Sequence, residues 1–352
     1  MDGRPILFLS YSGVLGGAER VLLDCATRLA RPALVACPEG PLAAAARGAR
    51  LDVDPIPNRS LRLRGARAGA VRGLAGLTRD AARLARRHEP AALAAWGSRA
   101  VLAAAAAPLA GAPWLAVHHD LLPSAGVAAA VRAASSRADG VVATSGAVAE
   151  DVTRRASVTI LHPGLDLDAW SPLPRPGGPP RALVLGALVP WKRADLALEI
   201  AARVPGLELE LAGAPIPGDD EGFERSLRTR AAAADLAGRV TFAGALADPR
   251  PALERARLLL HCADAEPFGM ALLEALACGR PVAAPAAAGP LEIVGDGAGR
   301  LYAPGDAEAG AAAVRALLGD AEAPAKARAQ AERFPVEASA ARLRAAIEAV
   351  AR

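Results

Sequence analysis

Two carboxylates eight residues apart, in Glu266-Pro-Phe-Gly-Met-Ala-Leu-Leu-Glu274, are the pair whose spacing points most directly to chemistry. An apolar run ending at Leu258–His261 precedes them and reads as a strand, and a helix is predicted to start near Gly269. A helix N-terminus presents unpaired N–H groups and the positive end of a dipole, which suits a phosphate. Gly269 has no side chain to block close approach. Glu266 falls in the loop and Glu274 about a turn and a half inside the helix. Such a pair can bind a sugar hydroxyl and a ribose diol with a diphosphate held between them. An ordinary strand–loop–helix unit, with an acid placed by the helix dipole, would account for Glu266 alone.

Three further stretches carry candidate groups. Lys192, in Val184-Leu-Gly-Ala-Leu-Val-Pro-Trp-Lys-Arg193, follows a strand and opens a helix, although a lone Lys is usually only a solvated charge. In Ser12-Gly-Val-Leu-Gly-Gly-Ala-Glu19, Gly16 and Gly17 lie between the first strand and a helix. A dinucleotide fingerprint is the rival there. The spacing of Gly13, Gly16 and Gly17 does not make G-x-G-x-x-G, but Glu39, near the end of the second strand, keeps an NAD-dependent oxidoreductase open as an alternative. Trp114-Leu-Ala-Val-His-His-Asp120 closes an apolar strand with two His and an acid. Adjacent strand side chains point to opposite faces and zinc needs further ligands, so no metal site is expected.

The elements that must position these groups are legible as an alternation of short apolar runs with helical stretches. Strands are predicted at 5–10, 33–37, 92–96, 114–118, 140–143 and 158–161, with helices at 18–30, 67–87 and 146–155 among those between them. Ser171-Pro-Leu-Pro-Arg-Pro-Gly-Gly-Pro-Pro180 reads as an interdomain linker. The pattern restarts with strands at 181–186, 207–212, 239–243, 257–261, 281–284 and 300–302. Helical sequence runs from about 322 to 351 and is interrupted at Pro335. The expected fold is α/β: two doubly wound domains, 1–170 and 181–330, and a terminal helix over 331–352 expected to pack back on the first domain. Ligands in such sheets bind outside the carboxyl ends of the strands, so an interdomain cleft is expected.

The string Glu266–Glu274 closely resembles the E-x7-E signature of family 4 of the retaining glycosyltransferases, in the form E-P-F-G-x-x-x-x-E. The resemblance extends over nearly the whole chain. It takes in the G-G-A-E loop at 16–19, the phosphate loop ending at Lys192, residues 162–166, the base-side strand and turn Val240–Gly244, and Asp296–Gly305. It implies a GT-B architecture, two Rossmann-like domains, a nucleotide-sugar donor, retention at the anomeric carbon, and neither cofactor nor catalytic metal. By the same resemblance Glu266 contacts the donor sugar, Phe268, Gly269, Met270 and Ala271 hold the phosphates by their backbone, and Glu274 takes the ribose. Gly16 and Gly17 let the backbone approach donor and acceptor, Lys192 neutralises the diphosphate, and the stretch Gly244 to Leu246 lines the base. A functional His faces the donor sugar, and alignment on Asp120-Leu-Leu favours His119 over His118. One departure stands out: Ala187 occupies the place where many members carry Arg, so Arg193 or the helix start at Gly269 must compensate, donor affinity is weak, or the site is a degenerate, non-catalytic sugar-nucleotide binder.

Composition narrows the rest. The 352 residues are 53% hydrophobic but only 3% aromatic, with Ala dominant, which favours a helix-rich α/β protein. Cys25, Cys37, Cys262 and Cys278 form no CxxC pair and fit a reducing cytosol. Residues 91–117 carry only Arg99 as a charge, but Pro108, Gly111 and Pro113 break the stretch, so strand, helix and strand are expected rather than a membrane span. Between Arg59 and Arg87 nine Arg face one acid, Asp80. A solvated helix face is one reading. An anionic membrane surface or phosphate-bearing acceptor is the other, and it favours a lipid-linked hydroxyl acceptor and a peripheral place at the inner face of the membrane. Nucleic acid is not expected, because no aromatic residues interleave with these Arg.

Overall fold

The computed structural model of the chain describes residues 3–59, 67–153, 157–216, 221–295 and 297–351. Arg62 and Arg64 of the basic segment, the end of the helix expected at 146–155, and Asp296 lie outside the described residues. The chain divides into two compact units, residues 1–164 with 336–352, and residues 165–335.

The first unit is a seven-stranded parallel sheet: β1 Ile6–Ser10, β2 Ala33–Cys37, β3 Asp52–Pro55, β4 Ala92–Trp96, β5 Trp114–His118, β6 Gly140–Ala143 and β7 Thr159–Ile160. Its order is β3-β2-β1-β4-β5-β6-β7. Helices α1 Gly17–Thr27, α2 Pro41–Gly48, α3 Arg67–His88, α4 Ser98–Ala106, α5 Ala125–Ser135 and α6 Gly146–Val152 connect the strands. β1, β2, β4 and β5 are buried along their whole length, as expected of parallel strands covered on both faces. Small Ala side chains in β4 and α4 let helix and sheet approach closely, and Leu7, Leu93 and Val101 fill one core cluster.

The second unit is a six-stranded parallel sheet: β8 Arg181–Leu185, β9 Glu208–Ala212, β10 Val240–Phe242, β11 Leu258–Leu260, β12 Val282–Pro285 and β13 Gly299–Tyr302. Its order is β10-β9-β8-β11-β12-β13. Its helices are α7 Ala194–Ala202, α8 Glu221–Ala231, α9 Arg250–Arg255, α10 Met270–Ala277, α11 Pro290–Ile293, α12 Ala307–Gly319 and α13 Ala323–Ala331. Each sheet therefore reverses its order once, between β1 and β4 and between β8 and β11. These reversals open a crevice at the carboxyl ends of the strands.

Two details depart from the sequence reading, in β3 and in residues 171–180. β3 had no counterpart in it, because Asp52-Val-Asp-Pro55 is no apolar run. As an edge strand it pairs only with β2, and its buried Asp54 meets His88 Nε2 at 2.8 Å and Arg83 at 3.4 Å. Residues 171–180, read as a linker, lie within the second unit. Leu173 N donates to Cys278 O, and the buried Arg280 guanidinium donates to the carbonyls of Leu173, Pro174 and Leu253. Helical sequence breaks before Pro335, and the last helix, α14 Val336–Val350, belongs to the first unit. Ser339 Oγ donates to His162 O at 2.6 Å and Arg342 to Ile160 O at 2.9 Å, so α14 is tied to the chain around β7.

Residues 91–117 form β4, α4 and β5, and no helix among the described residues is long and apolar enough to cross a membrane. The four cysteines are free and buried.

Candidate active site

Both groups of candidate residues sit where the sheets reverse. In the second unit β8 runs out at Leu185 and the chain turns through Gly186, whose φ of 145° is open to glycine. A Cβ on Gly213 would lie 1.8 Å from Gly186 O, so glycine is required for the two loops to pass. Leu188 N donates to Ala214 O at 3.0 Å and fixes the loop further. A single 3₁₀ turn, Pro190–Lys192, then aims Lys192 back across the end of β11. Its ammonium lies 4.3 Å from the centroid of the Trp191 ring and pairs with Glu266 Oε2.

Glu266 is held from its backbone. Gly289 N donates to Glu266 O at 2.9 Å, and a Cβ on Gly289 would come within 2.2 Å of Phe268 O. Phe268 packs edge-on to Phe334 at 6.0 Å between ring centroids. Gly269, at φ 115°, caps α10. Leu272 and Leu273 N donate back to Gly269 O, which leaves the N–H groups of Met270 and Ala271 as the opening donors of the helix. Glu274 is buried in the second turn of α10. Leu246, Met270 and Ala271 pack, half-buried, on one apolar cluster. The loop, the helix start and the two carboxylates thus belong to one surface of one unit.

Arg193 has a left-handed backbone, φ 55°, and its guanidinium is already occupied. Asp264 Oδ1 lies 2.9 Å from it and Asp195 3.1 Å, and their hydrogen bonds raise its pKa. A diphosphate would have to compete with two acids for this cation, and with one, Glu266, for Lys192.

In the first unit the corresponding reversal lies between β1 and β4. Gly16 N-caps α1 and its N–H donates to the buried Glu19 carboxylate at 3.0 Å, with Gly17 as the first helical residue. The turn after β2 needs glycine too: Gly40 has φ 152°, and a Cβ there would lie 2.6 Å from Gly13 O. The two adjacent histidines part as strand geometry requires. His118 is buried, with Nε2 2.9 Å from Ser135 Oγ. His119 lies past the strand end, its ring 6.2 Å from that of Trp96, and a Cβ on Gly97 would approach its Nε2 to 2.9 Å. Burial opposes the His119 imidazolium, but Asp120, with Oδ2 3.1 Å from Nδ1, and the charge of Glu19 outweigh it and raise its pKa.

One residue of the second unit was read only as part of a strand. His261 follows β11 directly, is 6% exposed, and has Nε2 3.4 Å from Glu266 Oε2 without a hydrogen-bond partner. Its only sequence signal is a polar residue closing an apolar run five positions before Glu266. Trp191 and Gly289 were equally unmarked.

Burial pushes the His118 imidazole down to about 3 and that of His261 to about 4, from 6.5. Both stay neutral in the folded protein while the unfolded chain takes up protons below 6.5. Stability is therefore complete above pH 6.5 and falls as pH drops toward 4, by on the order of 3 kcal/mol per group. Denaturant unfolding at pH 7 and pH 4.5 should show the loss, and His118→Gln should flatten the slope. A slope unchanged in that variant would remove His118 from the account.

Among the described residues no cluster of three or more His, Cys, Asp or Glu side chains could hold a metal ion.

Comparison with known proteins bears on the family and the fold. A family model for glycosyl transferases group 1 matches residues 171–334, and one for glycosyltransferase family 4 matches residues 15–169. D-inositol 3-phosphate glycosyltransferase of Mycobacterium avium is 35% identical over 184 residues, 49% of this chain and 43% of that enzyme. The lipopolysaccharide core biosynthesis glycosyltransferase LpsE of Rhizobium meliloti is 33% identical over 150 residues, 42% of each chain. The matches thus span less than half the length of these relatives. Among solved structures, Anabaena HepE in complex with UDP and glucose superposes with a TM-score of 0.81 at 24% identity, covering 97% of this chain and 98% of that one. That likeness shows the shared GT-B fold of two Rossmann-like domains. The two family models together run from residue 15 to residue 334, and the chain belongs to the group 1, family 4 glycosyltransferases that they describe.

Proposed function

We propose that the chain transfers a glycosyl group from a nucleoside-diphosphate sugar to an acceptor hydroxyl, with retention at the anomeric carbon and without a catalytic metal. The observation that carries this reading is the set in the second unit: Lys192 on Glu266 beside the open N–H groups of α10, with Glu274 a turn further along. HepE, whose fold the chain shares, was crystallised with UDP and glucose, which supports a nucleotide sugar as donor. On this reading Lys192 leaves Glu266 for the diphosphate, the first N–H groups of α10 take its oxygens, and Glu274 takes the ribose. Glu266 is freed to hold a hydroxyl of the sugar. As the anomeric bond to phosphate breaks, the new bond to the acceptor oxygen forms on the same face, and the departing phosphate accepts the acceptor's proton. The protein's part is positioning and stabilisation of charge on the leaving group.

The acceptor belongs to cell-envelope glycolipid or polysaccharide synthesis on this reading, in keeping with the lipopolysaccharide-core role of LpsE. Exposed Arg79 and Arg86 on α3 favour a lipid-linked acceptor at the inner membrane face. Replacing both by Ser should lower co-sedimentation with phosphatidylserine vesicles several-fold, and undiminished binding would dismiss that surface.

Thermal stabilisation by UDP, GDP, ADP and NAD tests the donor. One nucleoside diphosphate at about 100 times its Kd should stabilise by about 2.7 kcal/mol. Glu274→Ala should lose most of that shift. Stabilisation by NAD alone would overturn the proposal. Because Ala187 carries no charge and Arg193 is held by Asp195 and Asp264, neutralising the diphosphate falls to Lys192, and nucleotide binding with no turnover on any donor would favour a sugar-nucleotide binder instead.

A further inference from the structure

We propose that His261 is the positioning residue of this site, holding Glu266 in place once Lys192 has left it for the donor. The inference rests on the reading of Lys192 and Glu266 given above. Two nitrogens converge on one oxygen, Glu266 Oε2: Lys192 Nζ in direct contact and His261 Nε2 at 3.4 Å. The second of these is buried and makes no hydrogen bond, and a buried polar nitrogen left so is costly unless some state of the protein satisfies it. Its surroundings offer that state. Lys192 is drawn off by a diphosphate, the carboxylate loses its cation, and a shift of a few tenths of an ångström brings Oε2 within reach of the imidazole N–H.

The ring is well placed for this. The backbone of His261 is clamped on both sides, its N–H donating to Ala283 O at 2.8 Å and its carbonyl accepting from Tyr302 Oη at 2.6 Å. Burial keeps the imidazole neutral, opposed by Glu266 and aided by Lys192. A neutral N–H can orient Glu266 without adding a second positive charge that would compete with the diphosphate for Lys192 or with the sugar for the carboxylate. Glu266, which is 13% exposed, then presents its other oxygen to a sugar hydroxyl in a fixed direction.

The test separates sugar recognition from nucleotide binding. Isothermal titration of the full chain would use UDP, GDP and ADP, each alone and as its glucose conjugate. The ratio of the two Kd values reports the sugar's contribution. His261→Phe should lower that ratio roughly tenfold, the size of a lost hydrogen bond to a charged group, and leave the affinity for the bare diphosphate within about twofold. His261→Gln, which keeps an N–H near the Nε2 position, should recover most of the ratio. In a Glu266→Ala background His261→Phe should have no further effect, because the histidine acts only through that carboxylate. In the wild-type protein, ¹⁵N spectra of the imidazole should show Nε2 protonated when the conjugate is bound. Those spectra decide the matter even if His261→Phe does not fold. An unprotonated Nε2, an unchanged ratio in His261→Phe alongside a lowered one in Glu266→Ala, or additive effects in the double variant would overturn the inference alone. If Glu266→Ala leaves the ratio unchanged, the proposed function fails and the inference with it.

Discussion

Lys192→Ala should lower kcat about 100- to 1,000-fold while changing the affinity for the nucleoside diphosphate far less. Removal of one preorganised group that meets charge developing in the transition state costs about this much. The asymmetry follows from the unliganded site. Lys192 is already paired with Glu266, so binding a diphosphate exchanges one anionic partner for another and the net gain in the ground state is small. Charge on the leaving phosphate grows as the anomeric bond breaks, and there the ammonium contributes fully. Lys192→Arg should not restore the rate, because the longer, planar guanidinium spreads its charge and cannot present it as a compact point to the atoms that Lys192 meets beside Glu266. Steady-state kinetics beside calorimetric Kd values check both statements. A kcat within threefold of wild type in Lys192→Ala would remove the lysine from the mechanism.

Gly289→Ala should reduce turnover at least tenfold by displacing the backbone of the loop that carries Glu266. The φ of Gly289 is −53°, a region open to alanine, so the effect is steric. The added Cβ would lie 2.2 Å from Phe268 O and 2.5 Å from Phe268 Cα. Those are backbone atoms of the loop that carries Glu266, and they cannot rotate away as a flexible side chain would. The loop must shift, and the hydrogen bond from Gly289 N to Glu266 O must lengthen with it. Overpacking of this kind costs about 1–3 kcal/mol, which corresponds to a fall in Tm of roughly 2–4 °C per kcal/mol for a unit of this size. Thermal denaturation and turnover should fall together. Wild-type values of both would mean that the loop yields without cost and that its close packing does not position Glu266.

Much of the fold was legible because parallel strands buried on both faces are short apolar runs, and such runs are local. β1, β2, β4 and β5 were placed within a residue of their limits for this reason. β3 was not, since an edge strand with Asp at alternate positions has no apolar run to read, and only its neighbour β2 and the cations around Asp54 make it a strand. The proline-rich stretch 171–180 was correctly read as irregular. Its attachment to the second unit depends on Arg280, a hundred residues on, whose guanidinium collects the carbonyls that irregular backbone leaves unpaired.

The candidate site divides in the same way. Glu266, Gly269 and Glu274 lie in one strand–loop–helix unit, so their spacing alone determines that a helix start is flanked by two carboxylates. The sequence also determined that glycine-rich turns follow β1 and that a lysine closes the loop after β8. It could not show that Lys192 and Glu266 meet, because the pairing of β8 with β11 brings together residues 74 positions apart. Nor could it show that Arg193 is taken up by Asp195 and Asp264, or that His261 Nε2 is left unpaired beside Glu266. Periodicity and turn chemistry act over a few residues. Which charge is neutralised, and which nitrogen goes without a partner, is decided by side chains that only the folded sheet makes neighbours.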